Sequence, residues 1–383
     1  MVRVRPVESS KDLMRFIKFP WKVYKDWPAW VPPIISEEKK RFNPEKNPFY
    51  EHAKVQLFIA ERDGEVVGRI SAHIDYNYNE FHDEKTGLWG FFETINDFEV
   101  AKALFDAVIE FHEKEGMEQV LGPASFSTND VTGMLMNAYD LPPVVMMPYN
   151  PPYYVDLVEK YGFRKAKDLL AYLIKIDDEF LKFADRLQKR LKPLAERALE
   201  RGYTIRNIVI KNWKEEVEKI IVIYNEAWEK NWGFVPWTRK EFFHIAEDLK
   251  QIAIPELAKM VERDGEPVAF GLIIPDVNVV IKKLNGRIVG PGLFAALPYL
   301  LNIKKISRTR LITLGIRKGY RKSGVDSLLY YEMMKSALDL GYIKECEVSW
   351  LLEDNYLVIR AAEFMRGKHY KTYRLFVKPI GLE

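Results

Sequence analysis

The sequence predicts an α+β protein built from two similar halves in tandem, each a mixed, mostly antiparallel sheet flanked by helices. Three observations carry that expectation. At 383 residues the chain is longer than one hydrophobic core usually serves. The pentapeptide Glu61-Arg62-Asp63-Gly64-Glu65 returns as Glu262-Arg263-Asp264-Gly265-Glu266, an offset of 201 residues. The elements around each copy can be read in a common order.

In the amino-terminal half, a strand at 2–7 is followed by helical pieces within 10–42. Next comes a hairpin at 55–76, where Asp63-Gly64 sits between two apolar runs, the strongest short-range hairpin signal. A strand at 88–93, a helix at 97–115, a strand at 119–122, a helix at 153–161 and a strand at 169–176 complete this half. In the carboxy-terminal half, a strand at 203–210 leads to a helix at 213–228, spaced by Val217, Ile220, Ile221, Tyr224 and Trp228. A second helix at 239–249 precedes the hairpin about Asp264-Gly265. An insertion at 279–305 separates it from a strand at 310–316 and a helix at 324–340, whose apolar positions fall on one face and which Gly341 is placed to end. A strand at 345–351, a helix at 356–365 and a strand at 370–378 follow. Between the halves, 177–200 is rich in Lys, Arg and Leu and predicts a connecting helix interrupted at Pro193. The expected domains are therefore 1–176 and 201–383, joined by 177–200.

Composition narrows the functional classes. With 48% apolar, 13% aromatic and 30% charged residues, the chain can bury a core and is not disordered. A net charge of +3 is far below that of a dedicated duplex-DNA binder, so no clear nucleic-acid role is expected. The one cysteine, Cys346, excludes an internal disulfide and a multi-cysteine metal site. No apolar run is long enough to span a bilayer and no leader pattern opens the chain, so a cytoplasmic protein is expected. The sequence lacks G-x-S-x-G, H-E-x-x-H and C-x-x-C, and its six histidines show no ligand spacing, so no metal is expected.

One segment points to chemistry. After the strand ending at Ile316, the loop Arg317-Lys318-Gly319-Tyr320-Arg321-Lys322-Ser323-Gly324 opens a helix. The free amides and positive dipole end of that helix face back toward the loop, an arrangement suited to an anion. From Ile303 to Lys322 there are eight Lys or Arg and no acid. The bland alternative is a solvated basic strand end before a capped helix, because Ser323-x-x-Asp326 also fits a capping box.

This segment resembles the GNAT acyltransferase superfamily, whose signature (Gln/Arg)-x-x-Gly-x-(Gly/Ala) holds the pyrophosphate of coenzyme A on backbone amides. Arg321 and Gly324 match its first and fourth positions. With both halves counted, the chain looks like a tandem GNAT protein. The resemblance implies acetyl-CoA or another acyl-CoA as substrate, bound by Ile316, Lys318, Gly319, Arg321, Lys322, Ser323 and Gly324. It also implies a small-molecule amine acceptor, with an acyl carrier protein as an alternative donor. Asn355, after the strand ending at Leu351, matches the Asn that begins the family's last helix. Catalytic roles are expected for Glu353 as base, Asn355 and Tyr356. Position six of the signature is Asp326. Where the family commonly has Tyr seven residues after the Asn, position 362 is Ala, leaving Tyr356 and Tyr370 as the nearest phenols. In the amino-terminal copy the matching turn, Phe92 to Glu99, has three acids and no basic residue, so this copy is expected not to bind coenzyme A. Its polar stretch 122–130 and the tyrosines after Pro148 either line a small-molecule pocket or serve turns and caps. Two alternatives to a coenzyme A-dependent enzyme stand: a noncatalytic ligand-binding or scaffold protein of this fold, and a Fem-like aminoacyl transferase.

Overall fold

The structure, a computed structural model, describes residues 1–381. In chain order its elements are β1 (Arg3–Pro6), α1 (Ser10–Lys18), α2 (Pro20–Val23), α3 (Ile35–Arg41), β2 (Ala53–Arg62), β3 (Glu65–Asp75), α4 (Tyr76–His82), β4 (Thr86–Thr94), α5 (Phe98–Lys114), β5 (Gln119–Gly122), β6 (Met134–Leu135), α6 (Tyr153–Tyr161) and β7 (Arg164–Lys175). They continue as α7 (Asp178–Glu200), β8 (Tyr203–Asn207), α8 (Trp213–Trp228), α9 (Arg239–Lys250), β9 (Ala258–Arg263), β10 (Glu266–Pro275), α10 (Asn278–Leu284), α11 (Pro291–Leu301), β11 (Arg308–Ile316), α12 (Val325–Asp339), β12 (Glu345–Leu352), α13 (Tyr356–Phe364) and β13 (Lys368–Pro379).

Both Asp-Gly repeats form two-residue hairpin turns. Asp63 and Gly64 have φ of 52° and 82°, and Asp264 and Gly265 have 53° and 81°. Two positive φ values in succession are the type I′ geometry, whose twist matches the flanking strands. Around each turn the strands follow one plan. β1-β2-β3-β4 are antiparallel neighbours and β4 pairs β5 in parallel. β8-β9-β10-β11 are antiparallel and β11 pairs β12 in parallel. Even the register repeats: Arg5 faces Ile59 on β2, and Arg206 faces Met260 on β9.

The repeat extends to side chains. Arg5 donates to Asp12 at 2.6 Å and to Glu61 at 2.9 Å, and Arg15 reaches Glu61 at 2.5 Å. In the second copy Arg206, 201 positions after Arg5, donates to Glu262 at 2.8 Å, 201 positions after Glu61; it also donates to Glu216 at 2.7 Å, and Lys219 reaches Glu262 at 2.7 Å. In each copy, one Arg on the first strand and one cation on the following helix clamp the first Glu of the repeated pentapeptide. This ties strand, helix and hairpin together.

Contacts divide the chain into two units that do not follow the linear boundary. One comprises Met1–Leu170, Asn278–Leu297 and the chain from Lys371 on; the other comprises Ala171–Val277 and Pro298–Tyr370. β7 and β13 each pass from one unit into the other along their length. Phe376 to Pro379 of β13 pair with β5 in the first unit, and Ile176 N, just beyond β7, donates to Lys344 O in the second at 2.8 Å. Each copy's last strand thus ends in the other copy's unit. The first core gathers Trp89, Leu104, Phe105, Val108, Val158 and Phe376. The second gathers Leu257, Val261, Val268, Val325, Leu328 and Leu329.

α7 runs unbroken through Pro193, where an interruption was expected. Pro193 is exposed, so water can satisfy the carbonyl that its missing N–H leaves unpaired. The insertion contains two helices, α10 and α11, and its residues 278–297 pack within the first unit. Ile35 N donates to Gly286 O at 3.0 Å, and Trp21 Nε1 donates to Asn285 Oδ1 at 3.0 Å.

The ion clamps give a stability prediction. The guanidinium of Arg5 holds the Glu61 carboxyl below its ordinary value, and Arg206 does the same for Glu262. A carboxyl with a depressed folded pKa stabilises the fold above its unfolded value and loses that contribution as pH falls through the folded one. Glu61→Gln and Glu262→Gln should each cost about 1–3 kcal/mol in urea unfolding at neutral pH. That difference should shrink below the ordinary carboxylate range; an unchanged unfolding midpoint at pH 7 would count against the clamp.

Candidate functional site

The parallel pair β11–β12 is joined only over 308–311 and 345–348. Past that point β11 continues to Ile316 against β10, β12 continues to Leu352, and the two strands part. Facing residues of a parallel pair share a side of the sheet, so Arg308 and Arg310 lie on the same face as Glu345 and Glu347. A buried polar cluster has formed there. Tyr370 Oη donates to Glu347 Oε2, and Arg310 donates to Ser349 Oγ at 3.0 Å and to Ser349 O at 3.2 Å. Arg308 stands 3.7 Å from Asp276. Glu347 is 0% exposed. Burial first, and then the Glu347 charge, push the Tyr370 phenol well above its ordinary value, so it stays a proton donor. Glu347 Oε1, Arg308 Nε and Thr313 Oγ1 are buried with no hydrogen-bond partner. Unpaired buried atoms occur in the first unit too, at Arg69 Nε, His73 Nε2 and Trp89 Nε1; what sets this cluster apart is that an acid, a phenol and two guanidinium groups meet where the strands part.

At the far end of β11 the loop leads into α12. Gly324 stands at the helix N-cap with φ of 93°, and no side chain caps the helix. The capping box that Ser323 and Asp326 could form is not made: Ser323 Oγ donates to Tyr320 O at 2.6 Å instead. No side chain therefore hydrogen-bonds the first-turn amides of α12, although the Asp326 carboxylate lies in that turn and faces the helix dipole. The basic side chains are less free. Arg317 Nε donates to Glu226 at 2.7 Å, Lys318 N donates to the same carboxylate at 2.9 Å, and Lys318 Nζ pairs with Glu229. Arg321 donates to Ala227 O at 2.9 Å and to Ile316 O at 3.3 Å. The end of α8 thus clamps the loop, and sequence reasoning missed these two glutamates because they lie about ninety residues upstream.

In the first unit the equivalent opening is closed by the chain itself. β4 and β5 pair over 86–88 and 119–121 and then part. Ala124 N donates to Trp89 O at 2.9 Å, and a Cβ at Gly90 would fall 1.8 Å from Ala124 O. The loop after β5 therefore occupies the gap and buries Phe126 among Phe42, Phe49 and Phe91. Asp97 accepts from Glu99 N at 2.9 Å and caps α5. Glu93 is partly buried and accepts from the Tyr154 hydroxyl at 2.7 Å, and its desolvation raises its pKa. Several polar groups of the stretches 122–130 and after Pro148 are spent on local structure: Asp130 accepts from Val131 N, Ser127 accepts from Asn129 N, and Asn150 accepts from Leu135 N. Burial lowers His73 and His112 to about 3 and about 4, leaving both neutral in this core. Among the described residues no group of three His, Cys, Asp or Glu is placed to hold a metal ion.

No model of a known protein family matches the sequence. Individual proteins do. The chain is 35% identical over 382 residues to the bacterial ceramide synthase of Caulobacter vibrioides, spanning 98% of this chain and 97% of that one. It is 33% identical over 380 residues to YghO of Escherichia coli, spanning 98% and 95%. The chain belongs to their family. A solved tandem GNAT protein from the clavulanic acid biosynthesis pathway matches 100% of both chains with a TM-score of 0.58 at 11% identity. At that identity the likeness is one of fold, and the fold of this family member is the tandem GNAT fold.

Ile316, Lys318, Gly319, Arg321, Lys322, Ser323 and Gly324 stand together in this family member as the turn between β11 and α12. Glu353, Asn355 and Tyr356 lie between the end of β12 and the start of α13. Asn355 makes no side-chain cap for α13, and Tyr356 is 66% exposed. Glu347 was not singled out from the sequence, although an acid inside the largely apolar strand Glu345–Leu352 is the signal that marks it.

The two loop glycines differ in a way that mutation can read. Gly324→Ala puts a Cβ on a residue with φ of 93° and should cost about 1–2 kcal/mol, seen as a lower Tm. A Cβ at Gly319 meets nothing within 4 Å, so Gly319→Ala should leave Tm unchanged. Equal effects of the two substitutions would contradict this loop geometry.

Proposed function

We propose that the chain is a cytoplasmic N-acyltransferase. It would move an acyl group from coenzyme A, or from an acyl carrier protein, to the amine of a long-chain amino alcohol and so form an amide. The observation that carries this is the parted pair β11–β12, with an uncapped, glycine-led helix N-terminus at one side and buried, unpartnered polar groups at the other. The relative named a ceramide synthase supports the acceptor class, since a ceramide is an amide of that kind. In this proposal 201–383 is the working copy, 1–176 is a copy without a ligand, and 177–200 joins them.

The residues present suit coenzyme A. The amides opening α12 and the side chain of Lys322 would take the pyrophosphate, and the parted strands would offer unpaired backbone groups to the pantetheine amides. Proton handling falls to Glu347 and Tyr370. When the acceptor nitrogen attacks the thioester carbonyl, the new C–N bond leaves a proton on nitrogen for Glu347 to accept. When the C–S bond breaks, Tyr370 gives its proton to the departing thiolate and recovers one from Glu347, so the pair returns to its starting state. Glu353, Asn355 and Tyr356 form a second catalytic assignment, favoured by their place at the carboxyl end of β12.

A noncatalytic scaffold is the competing reading, and the pairing of Arg317 and Lys318 with Glu226 and Glu229 favours it by spending two of the loop's charges. The test is calorimetry of coenzyme A and a long-chain acyl-CoA, joined to an assay for amide formation with a long-chain amino alcohol. Wild type should bind at one site per chain, and Lys322→Glu should weaken binding about ten- to a hundredfold. Tyr370→Phe and Glu347→Gln should lower kcat about a hundredfold while leaving the coenzyme A Kd within about twofold. A comparable loss in Glu353→Gln with Glu347→Gln still active would move the base to Glu353. Absence of binding by any acyl-CoA or acyl carrier protein would leave the scaffold.

A further inference from the structure

We propose that the α10–α11 insertion is a docking element for an anionic lipid bilayer. α11 carries no charged residue. Along it Phe294, Leu297 and Leu301 recur at helical spacing and are exposed, Phe294 at 80% and Leu301 at 76%. Leu293, Ala296 and Leu300 are the better-buried side of the same helix. The turn leading into α11 adds Ile288 and Val289, the latter 79% exposed. A helix apolar on both faces has no reason to show one to water unless something apolar covers it.

Charge identifies the cover. Between Asp276 and Asp326 the chain has eleven Lys and Arg and no acid. Lys283 and Arg287 lie exposed just before the apolar stretch, and Lys304 and Lys305 lie exposed just after it. Apolar side chains for the acyl region, bounded on both sides by cations for the phosphates, suit an anionic membrane surface. A cavity of about 440 Å³ opens beside the element, walled by Trp21, Ile35, Leu284 and Val289 and edged by Lys18 and Arg287. Its mix of apolar wall and cationic edge suits one lipid of that surface. The element is anchored in its unit: Trp21 and Ile35 bond Asn285 and Gly286, and Lys282 bonds Pro28 O. A Cβ at Gly292 would fall 2.5 Å from Lys283 O. The exposed face is therefore held in place. Among the described residues no helix is long and apolar enough to cross a membrane, so the contact is with the surface. None of this depends on coenzyme A or on the proposed reaction.

Flotation of the full chain with vesicles tests it. Wild type should float with vesicles of equimolar phosphatidylglycerol and phosphatidylcholine, should not float with phosphatidylcholine alone, and should be released by high salt. Val289→Ser with Phe294→Ser, both at exposed positions, should lower partitioning about tenfold or more. Lys283→Glu with Arg287→Glu should abolish the preference for the anionic lipid. Binding of coenzyme A in solution, measured on the same variants, should not move, which separates this proposal from the preceding one. Failure of wild type to float with anionic vesicles overturns the proposal. So does flotation indifferent to the Val289 and Phe294 changes. A dimer in solution that these changes dissociate, with no vesicle binding, would assign the face to a second copy of the chain.

Discussion

The constraint on which both halves turn is that a parallel strand pair cannot stay joined once its strands diverge. Where β4 leaves β5, and where β11 leaves β12, backbone donors and acceptors lose their ladder partners at the centre of a unit. Each lost partner must be replaced, because a buried and unpaired amide or carbonyl costs about as much as a hydrogen bond gains. What replaces it sets the role of the unit. In the first unit the chain supplies Ala124, whose amide takes the Trp89 carbonyl, and the glycine at position 90 is what lets the loop approach so closely. In the second unit no loop fills the divergence in this way, and Glu347 Oε1 and Thr313 Oγ1 are left without a hydrogen-bond partner.

The helix that follows each opening obeys the same logic in electrostatic form. A helix start needs negative charge or hydrogen-bond acceptors. α5 receives them from its own Asp97, which satisfies the dipole and leaves nothing for an external phosphate. α12 begins at Gly324, which has no side chain to give. The two copies thus keep the same framework, down to the clamp on Glu61 and Glu262, and differ in whether the helix start carries an acidic cap of its own. Duplication fixes the framework; the cap residue decides whether the helix start is satisfied by the chain's own side chain.

Much of this could be read from the sequence because it is local. The Asp-Gly turns, the helix periods and the loop from Arg317 to Gly324 each lie within one short window, and each took the conformation its residues favour. What could not be read lies between windows. Glu347 gains its meaning from Tyr370, which only the fold brings to it. Glu226, in the last turn of α8, and Glu229, just past it, look like ordinary acids until the loop folds onto them. Pro193 signals a break by its local chemistry, but its exposure lets α7 continue. The capping box at Ser323 and Asp326 failed for a related reason: Tyr320 O, three residues back, competed successfully for the hydroxyl.

The closed copy has a structural reason to persist. Its core includes Phe376, fully buried, which arrives from the far end of the chain on β13. The same unit holds residues 278–297, drawn from the middle of the other half. The second unit takes residues 171–175 of β7 in return. Cutting the chain at the helix between the halves would therefore leave the first unit without Phe376 and without the residues that bond Trp21 and Ile35. It would leave the second without its share of β7. The first unit's sheet is completed by β13, the carboxy-terminal copy's last strand, so a change in that strand also falls on the core of the amino-terminal copy.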